Sequence, residues 1–236
     1  MTIAPKNSTI SVIIPTLNEA DYLAKTLAPL RAEPNLELIV ADGGSLDGTT
    51  DIAQSLGAMV IRGKPGRGRQ LNGGAAAASG EILLFLHADT ILPADFGAAV
   101  RRCLTSPAVV AGAFRLGIDG ANWSLRLIET LANWRARQMR MPYGDQALFL
   151  RRSTFSRLGG FPEQEIMEDF ELVRRLRKLG RIEMLELTAS TSDRRWRTLG
   201  VARTTLINQA VIIGYLLGRS PYSLASWYRS LSNSRR

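Results

Sequence analysis

The sequence predicts an α/β fold: a mostly parallel sheet with helices on both faces, continued by a mixed extension toward the C-terminus. Three observations lead there. The first half alternates short apolar runs with helix-period segments, the beat changes after His87, and 236 residues with 45% apolar content can bury one substantial core. No linker, low-complexity run or internal repeat divides the chain, so a single domain over 1–236 is expected, with halves at 10–90 and 91–200 and a helical segment at 201–236. Only Met1 to Thr9 and the polar tail after Tyr228 read as loose.

The elements follow in order. Ile10 to Ile14 is a β-branched strand, after which Asn18 is a candidate cap for a helix with apolar face Leu23, Thr26, Leu27 and Leu30. Leu36 to Ala41 is the next buried strand, and Asp47 is placed to cap a short helix through Ile52 and Leu56. Met59 to Ile61, a small-residue helix around Leu71 to Ala78, and the apolar strand Ile82 to Leu86 complete a βαβα series. Beyond His87 the pattern predicts a helix from Pro93 to Leu104, a strand from Val109 to Phe114 and a longer helix around Trp123 to Met139. A strand near Ala147 to Leu150, a helix from Asp169 to Leu179 and a strand near Ile182 to Leu187 follow.

The net charge of +9 suits nucleic acid, an acidic membrane surface or a phosphorylated substrate. Its distribution is scattered, with local clusters at Arg62 to Arg69 and Arg194 to Arg197 and little aromatic interleaving, so a phosphate-handling cleft is favoured and no nucleic-acid partner is expected. The one cysteine, Cys103, sits in a helical pattern as a core thiol, which excludes a disulfide framework and suits a reducing compartment. No signal-peptide pattern opens the sequence. A cytoplasmic location is the expectation, peripheral on the inner face of the plasma membrane if the C-terminal segment faces lipid.

In open α/β sheets ligands sit beyond the carboxyl ends of the strands. Those ends carry Pro15-Thr16-Leu17-Asn18-Glu19, then Asp42-Gly43-Gly44-Ser45-Leu46-Asp47-Gly48-Thr49, then Gly66-Arg67-Gly68 with Asn72-Gly73, then His87-Ala88-Asp89. Together they would form one rim able to hold a nucleotide and its phosphates. Singly, each has a plainer use: Asp42-Gly43 and Asp47-Gly48 as turn and cap chemistry, Arg67 and Arg69 as a solvated basic turn, Asp89 as a cap before Pro93. Gly66-x-Gly68 is no dinucleotide fingerprint, because Leu71 stands at the third glycine's place and the segment follows the third strand; a P-loop is absent.

The strings Ser11 to Glu19, Ala41 to Thr49, Gly66 to Gly73 and Leu86 to Thr90, with Gly159-Gly160-Phe161-Pro162 and Glu168-Asp169 further on, are in order and spacing similar to family 2 inverting glycosyltransferases. The resemblance covers roughly residues 10 to 200 and implies the GT-A fold, a Rossmann-like variant of the predicted architecture. It makes 10–90 the nucleotide-sugar-binding half and 91–200 the acceptor and catalytic half.

On this resemblance a UDP- or GDP-linked sugar donor would be bound by Pro15, Thr16, Asn18 and Glu19 at the nucleoside, with Gly43, Ser45, Asn72 and Ala88 in the same set. Asp42 would bond the pyrimidine edge and Arg67 would lie near the diphosphate. Asp89 matches the last acid of the family's DxD motif and would hold Mn2+ or Mg2+ on the donor phosphates, where a hard cation neutralises the leaving group. The first acid of that motif is replaced by His87, for which a ribose hydrogen bond and a satisfied half-buried imidazole stand as equal readings. Asp169 would be the general base that takes the acceptor hydroxyl's proton, kept ionised by the start of its helix; Glu168 and Asp169 as simple helix caps is the plainer alternative. Glu168 would belong to the acceptor side; Gly144-Asp145-Gln146, ahead of a predicted strand, either helps shape the acceptor site or forms a plain turn, and Trp196 either packs near the acceptor or lies in the core beside a surface basic cluster. Arg195-Trp196 resembles the Gln-x-x-Arg-Trp signature of the processive synthases, but Ser192 stands in place of the glutamine, which weakens a polymerising role; Arg195 is still placed toward the diphosphate.

Val201 to Leu217 is apolar but short of the roughly 20 residues a membrane span needs. It is either a buried helix or one exposing an apolar stripe to a membrane or a second copy of the chain, and the former use of lipid would suit a lipid-linked acceptor. Two rival functions are a nucleotidyltransferase that makes nucleotide sugars, which would want a glycine-rich loop in the first strand–helix turn, and a non-catalytic basic module for RNA or anionic membrane, which would leave Asp42, Asp89 and Asp169 without a role.

Overall fold

A computed structural model describes residues 7–233, so the expected looseness of Met1 to Lys6 lies outside the described residues. The first half runs β1 (Ile10–Thr16), α1 (Ala20–Leu30), β2 (Leu36–Asp42), α2 (Thr49–Ser55), β3 (Met59–Arg62), α3 (Arg67–Ala77) and β4 (Ile82–Phe85). The second half runs β5 (Thr90–Ile91), α4 (Phe96–Cys103), β6 (Val109–Ile118), α5 (Trp123–Met139), a 3-10 turn (Gly144–Gln146), β7 (Phe149–Arg151), α6 (Arg152–Arg157), α7 (Glu168–Leu179) and β8 (Arg181–Thr191). Three further helices follow, α8 (Arg194–Leu199), α9 (Val201–Leu216) and α10 (Pro221–Asn233).

All eight strands join one sheet in the order β3-β2-β1-β4-β7-β6-β8-β5. The β3-β2-β1-β4 part is parallel, β7 is antiparallel to both β4 and β6, and β6 and β8 pair in parallel. A parallel sheet covered on both faces must be apolar on both. β1 and β4 meet that demand by alternation: Ile10, Val12, Ile14, Ile82 and Leu84 enter one core cluster, while Ile13, Leu83 and Phe85 enter the other. The small residues of α3 let that helix lie close on β1, for a Cβ added at Gly74 would stand 2.5 Å from Ile13 Cγ2.

Several local expectations are corrected. Asn18 does not cap α1; its backbone turns to φ 56°, Glu19 occupies the cap position, and the Asn18 amide oxygen accepts from Leu46 N instead. Arg67 and Arg69 lie in the first turn of α3, so the solvated basic turn is helix. β6 and β8 run several residues past their apolar runs because each is the other's hydrogen-bonding neighbour along that length. α6, α8 and the short β5 carry no periodic apolar signal of their own and form from tertiary packing; α10, with Leu224, Trp227, Tyr228 and Leu231 at helical spacing, replaces most of the polar tail expected after Tyr228. α9 satisfies both readings in part: Thr204, Ile207 and Val211 are buried while Leu206, Ile213 and Leu216 are exposed. Among the described residues no helix is long and apolar enough to cross a membrane.

Candidate active site

The carboxyl ends of β1, β2 and β4 lie side by side, and polar side chains lace the loops that leave them. Asp42, at the end of β2, is 2% exposed and accepts from the Thr16 hydroxyl, the Ser45 hydroxyl and the backbone N–H groups of Gly44 and Ser45. Burial raises its pKa, but the Ser45 hydroxyl and these amides outweigh burial and hold the carboxyl below its usual range. Its four acceptor directions are thereby used within the protein, and Asp42 shapes the turn. The Asn18 N–H donates to Ser45 Oγ, and Asp47 accepts from Ala20 N at the start of α1 and from Thr49 N at the start of α2. Asp47 therefore serves two helix starts, one more than expected.

Gln70 ties the set together. Its amide nitrogen donates at 2.8 Å to the carbonyls of both Thr16 and Ala41, and its oxygen accepts from Gly66 N. Asn72, assigned to the donor, is corrected: its amide is spent on the Phe161 backbone, donating to the carbonyl and accepting from the N–H, each at 2.9 Å, and it pins the Gly159–Pro162 segment to α3.

The acid–base cluster forms where α7 begins. Glu168 is buried and pairs with Arg67 Nε, which makes it an anchor for that arginine. Asp169 accepts from Gly144 N and Phe170 N at 2.8 Å each, and Arg67 NH2 stands 3.9 Å away. Burial raises the Asp169 pKa, but Arg67 and the two amides win and hold it below the usual carboxylate range, so the group is ionised at neutral pH. Each Asp169 oxygen keeps one free lone-pair direction. Gly144 makes the arrangement possible, since a Cβ there would meet Asp169 Oδ2 at 3.0 Å and His87 Nε2 at 3.2 Å. His87 is pushed down to about 4, first by burial and then by Arg67, against the pull of Asp89 and Asp169, and is neutral at physiological pH. Asp145, in the same turn, is raised chiefly by burial, and its Oδ1 is a buried oxygen with no hydrogen-bond partner among the described residues.

Asp89 follows in the turn between β4 and β5. Its Oδ2 stands 3.0 Å from Arg194 Nε, and the same guanidinium grips Glu19 through two 2.7 Å bonds and covers the ring of Tyr22. Glu19 is therefore tied to α8 in this structure. Arg195, the neighbour singled out from the sequence, points elsewhere: it donates to Asn208 Oδ1, lies over Tyr228 and makes no ion pair among the described residues. Trp196 packs against the small cluster of Leu116, Ile118 and Leu125 as well as reaching the cleft.

An open cleft of about 830 Å³ unites these groups, a size suited to a nucleotide-sized ligand. Pro15, Glu19, Arg67, His87, Ala88, Asp89, Asp145, Glu168, Asp169, Arg195 and Trp196 line it. Thr16, Asn18, Asp42, Gly43, Ser45 and Asn72 do not line it; Thr16, Asp42 and Gly43 are buried and Asn18 is exposed. Among the described residues no three metal-ligating side chains gather. Asp89 alone nonetheless suits Mg2+ or Mn2+, which take one or two carboxylates and complete their shells with substrate phosphate and water. Sequence reasoning missed Tyr143 and the bonds of Gln70, and it passed over Arg194 in favour of its neighbour Arg195. Gln70 carried a usable signal, being a polar residue on the inward face of a helix that otherwise buries Gly68, Leu71, Gly74 and Ala75.

Acids and arginines thus gather at the carboxyl edge of the parallel part of an α/β sheet. Residues 11–161 match the profile of Glycosyl transferase family 2, and the chain belongs to that family. It is similar to an uncharacterised glycosyltransferase of Nostoc sp., at 33% identity over 35% of this chain and 28% of the relative. It also resembles glucosyl-3-phosphoglycerate synthase of Mycolicibacterium smegmatis, at 35% identity over 38% of this chain and 34% of the relative. The matched stretches thus span about a third of these curated relatives. In fold the chain is similar to a mannosyltransferase of Pyrobaculum calidifontis in complex with GDP-Man and Mn2+, with TM-score 0.63, 19% identity and coverage of 97% of this chain and 71% of that one. Glucosyl-3-phosphoglycerate synthase of Mycobacterium tuberculosis, in complex with Mn2+, UDP and glucosyl-3-phosphoglycerate, gives TM-score 0.65 at 24% identity, covering 92% and 81%. The α/β architecture is that of the GT-A proteins.

Proposed function

We propose that the chain transfers a sugar from a UDP- or GDP-linked donor to an acceptor hydroxyl with inversion at the anomeric carbon. The observation that carries this reading is the pair of acids, Asp89 and Asp169, on one cleft with His87 between them. One lies at the end of β4 beside the family's donor motifs, and the other is ionised and keeps free lone pairs. Asp169 takes the acceptor proton as the hydroxyl oxygen bonds to the anomeric carbon and the bond to the diphosphate breaks. Arg67, which lines the cleft beside Asp169, meets the charge of the leaving diphosphate; Arg195 lines the same cleft but is held by Asn208 and Tyr228 and reaches the phosphates only after leaving them. Asp145 offers its unpaired oxygen to a hydroxyl on the acceptor side. Asp89 would hold Mn2+ or Mg2+, which when bound neutralises charge on the diphosphate. For that, Arg194 must release Asp89, and the released guanidinium is within reach of the same phosphates.

Thermal-shift measurement with nucleoside diphosphates and nucleotide sugars, with and without Mn2+ or Mg2+, tests the proposal. A cation-dependent rise for one nucleotide, with its cation-dependent part lost in Asp89→Ala, is expected. No rise with any of them would overturn it in favour of a non-catalytic binding module.

A further inference from the structure

A surface helix packed on a sheet is apolar inward and polar outward. α5 breaks that rule. Its inner face is occupied as it should be, by Leu125 and Ala136 fully buried and by Ile128 and Ala132 packed near Leu116, Ile118 and Trp196. Its outer face carries Trp123, Leu127, Leu131 and Trp134, exposed to 77%, 51%, 57% and 60%. At about 100° per residue these four fall within an arc of about 80°, a continuous ridge along most of the helix. Met139 extends the apolar surface at the helix end.

The surroundings of the ridge are basic. Arg126, Arg135, Arg137 and Arg140 lie on the same helix or its cap, and Arg115 stands on the neighbouring strand, against the acids Glu129 and Glu186. Tryptophans with arginines beside an apolar ridge match the chemistry of a bilayer interface, where indoles sit at the headgroup level and arginines keep their charge among lipid phosphates. A second copy of the chain is a poorer occupant, because a two-fold contact would set two basic rims against one another.

We propose that α5 docks this protein onto an anionic membrane surface through the Trp123–Leu127–Leu131–Trp134 ridge. The same helix supports the acceptor side of the cleft: Asn133 Oδ1 accepts from Gln146, and Arg135 stacks on Tyr143. Docking would therefore hold that side of the cleft near lipid.

The test is co-sedimentation of the full chain with vesicles of mixed phosphatidylcholine and phosphatidylglycerol against phosphatidylcholine alone, read with tryptophan emission. Binding to the anionic vesicles with a blue shift, weakened by salt, is expected. The doubly substituted Trp123→Ser/Trp134→Ser chain should lose at least about tenfold in vesicle affinity, since each indole contributes a large buried apolar area. Its circular dichroism and thermal midpoint should stay unchanged, because both side chains are exposed. No binding to anionic vesicles, or equal binding by the double variant, overturns the proposal. So does concentration-dependent dimerisation in sedimentation velocity that the double variant abolishes while vesicles leave the chain free, which would assign the ridge to a second copy.

Discussion

In the proposed transfer Asp169 takes the acceptor proton, and its environment sets how it should behave. Replacing it with Asn keeps the shape and removes the base, so kcat should fall at least about 100-fold while thermal shift shows nucleotide affinity retained. Because Arg67 and two amides outweigh burial, the folded pKa lies below the ordinary aspartate value of about 3.9. The ionised form, and with it the rate and this group's share of stability, should therefore persist as pH falls to the usual carboxylate range and be lost only as pH drops through the lowered folded value. Arg67→Gln removes the largest lowering cause and should move the acid limb of kcat against pH upward. That Asp89 and Asp169 share one cleft was legible in the sequence because motif spacing marks both. Arg194 was not, since its partner Glu19 is 175 positions away and nothing local to α8 announces the contact.

At the scale of elements, three strand-end loops share the amide of Gln70. Gln70→Ala leaves the Thr16 and Ala41 carbonyls short of a donor and should cost about 1–3 kcal/mol in denaturant unfolding, with a parallel loss of nucleotide affinity. The helix α8 carries a different expectation. Arg194→Gln frees Asp89 from a guanidinium while removing a cation from the phosphate region, so Mn2+ affinity of the nucleotide-free chain should rise and nucleoside diphosphate affinity should fall in calorimetric titration. A merely structural arginine would move both in one direction. The regular elements β1 to β4 were readable from period alone, because a sheet buried on both faces demands long apolar runs. β5, α6 and α8 were not, being short segments whose form is decided by what they pack on, whereas α10 had a readable period in Leu224, Trp227, Tyr228 and Leu231.

Across the whole molecule, the excess of basic residues divides into structural and available charge. Arg101 is buried and spends its guanidinium on Glu33 and on the carbonyls of Ser8, Pro34 and Asn35, while Arg151 caps the carbonyls of Leu104, Ser106 and Val109. The net charge read from the sequence thus overstated what partners can meet, and its distribution over buried and open sites was invisible without the fold. Cys103 also reflects its global position: burial and Glu183 push the thiol up to about 12, against Arg181 and Arg151. At pH near 8 it should resist iodoacetamide in the native chain and react once denatured, which mass spectrometry of the alkylated protein would show.

The lacing of Asn18, Ser45, Asp47 and Gln70 has a mechanical consequence. Loops that share hydrogen-bond partners cannot shift one at a time, so the donor edge behaves as an anvil. The opposing wall is fastened across the cleft by the ion pairs of Arg194, contacts that a change in charge at Asp89 can undo. Release of that one guanidinium would loosen α8 from the loop after β1 and leave the laced floor in place.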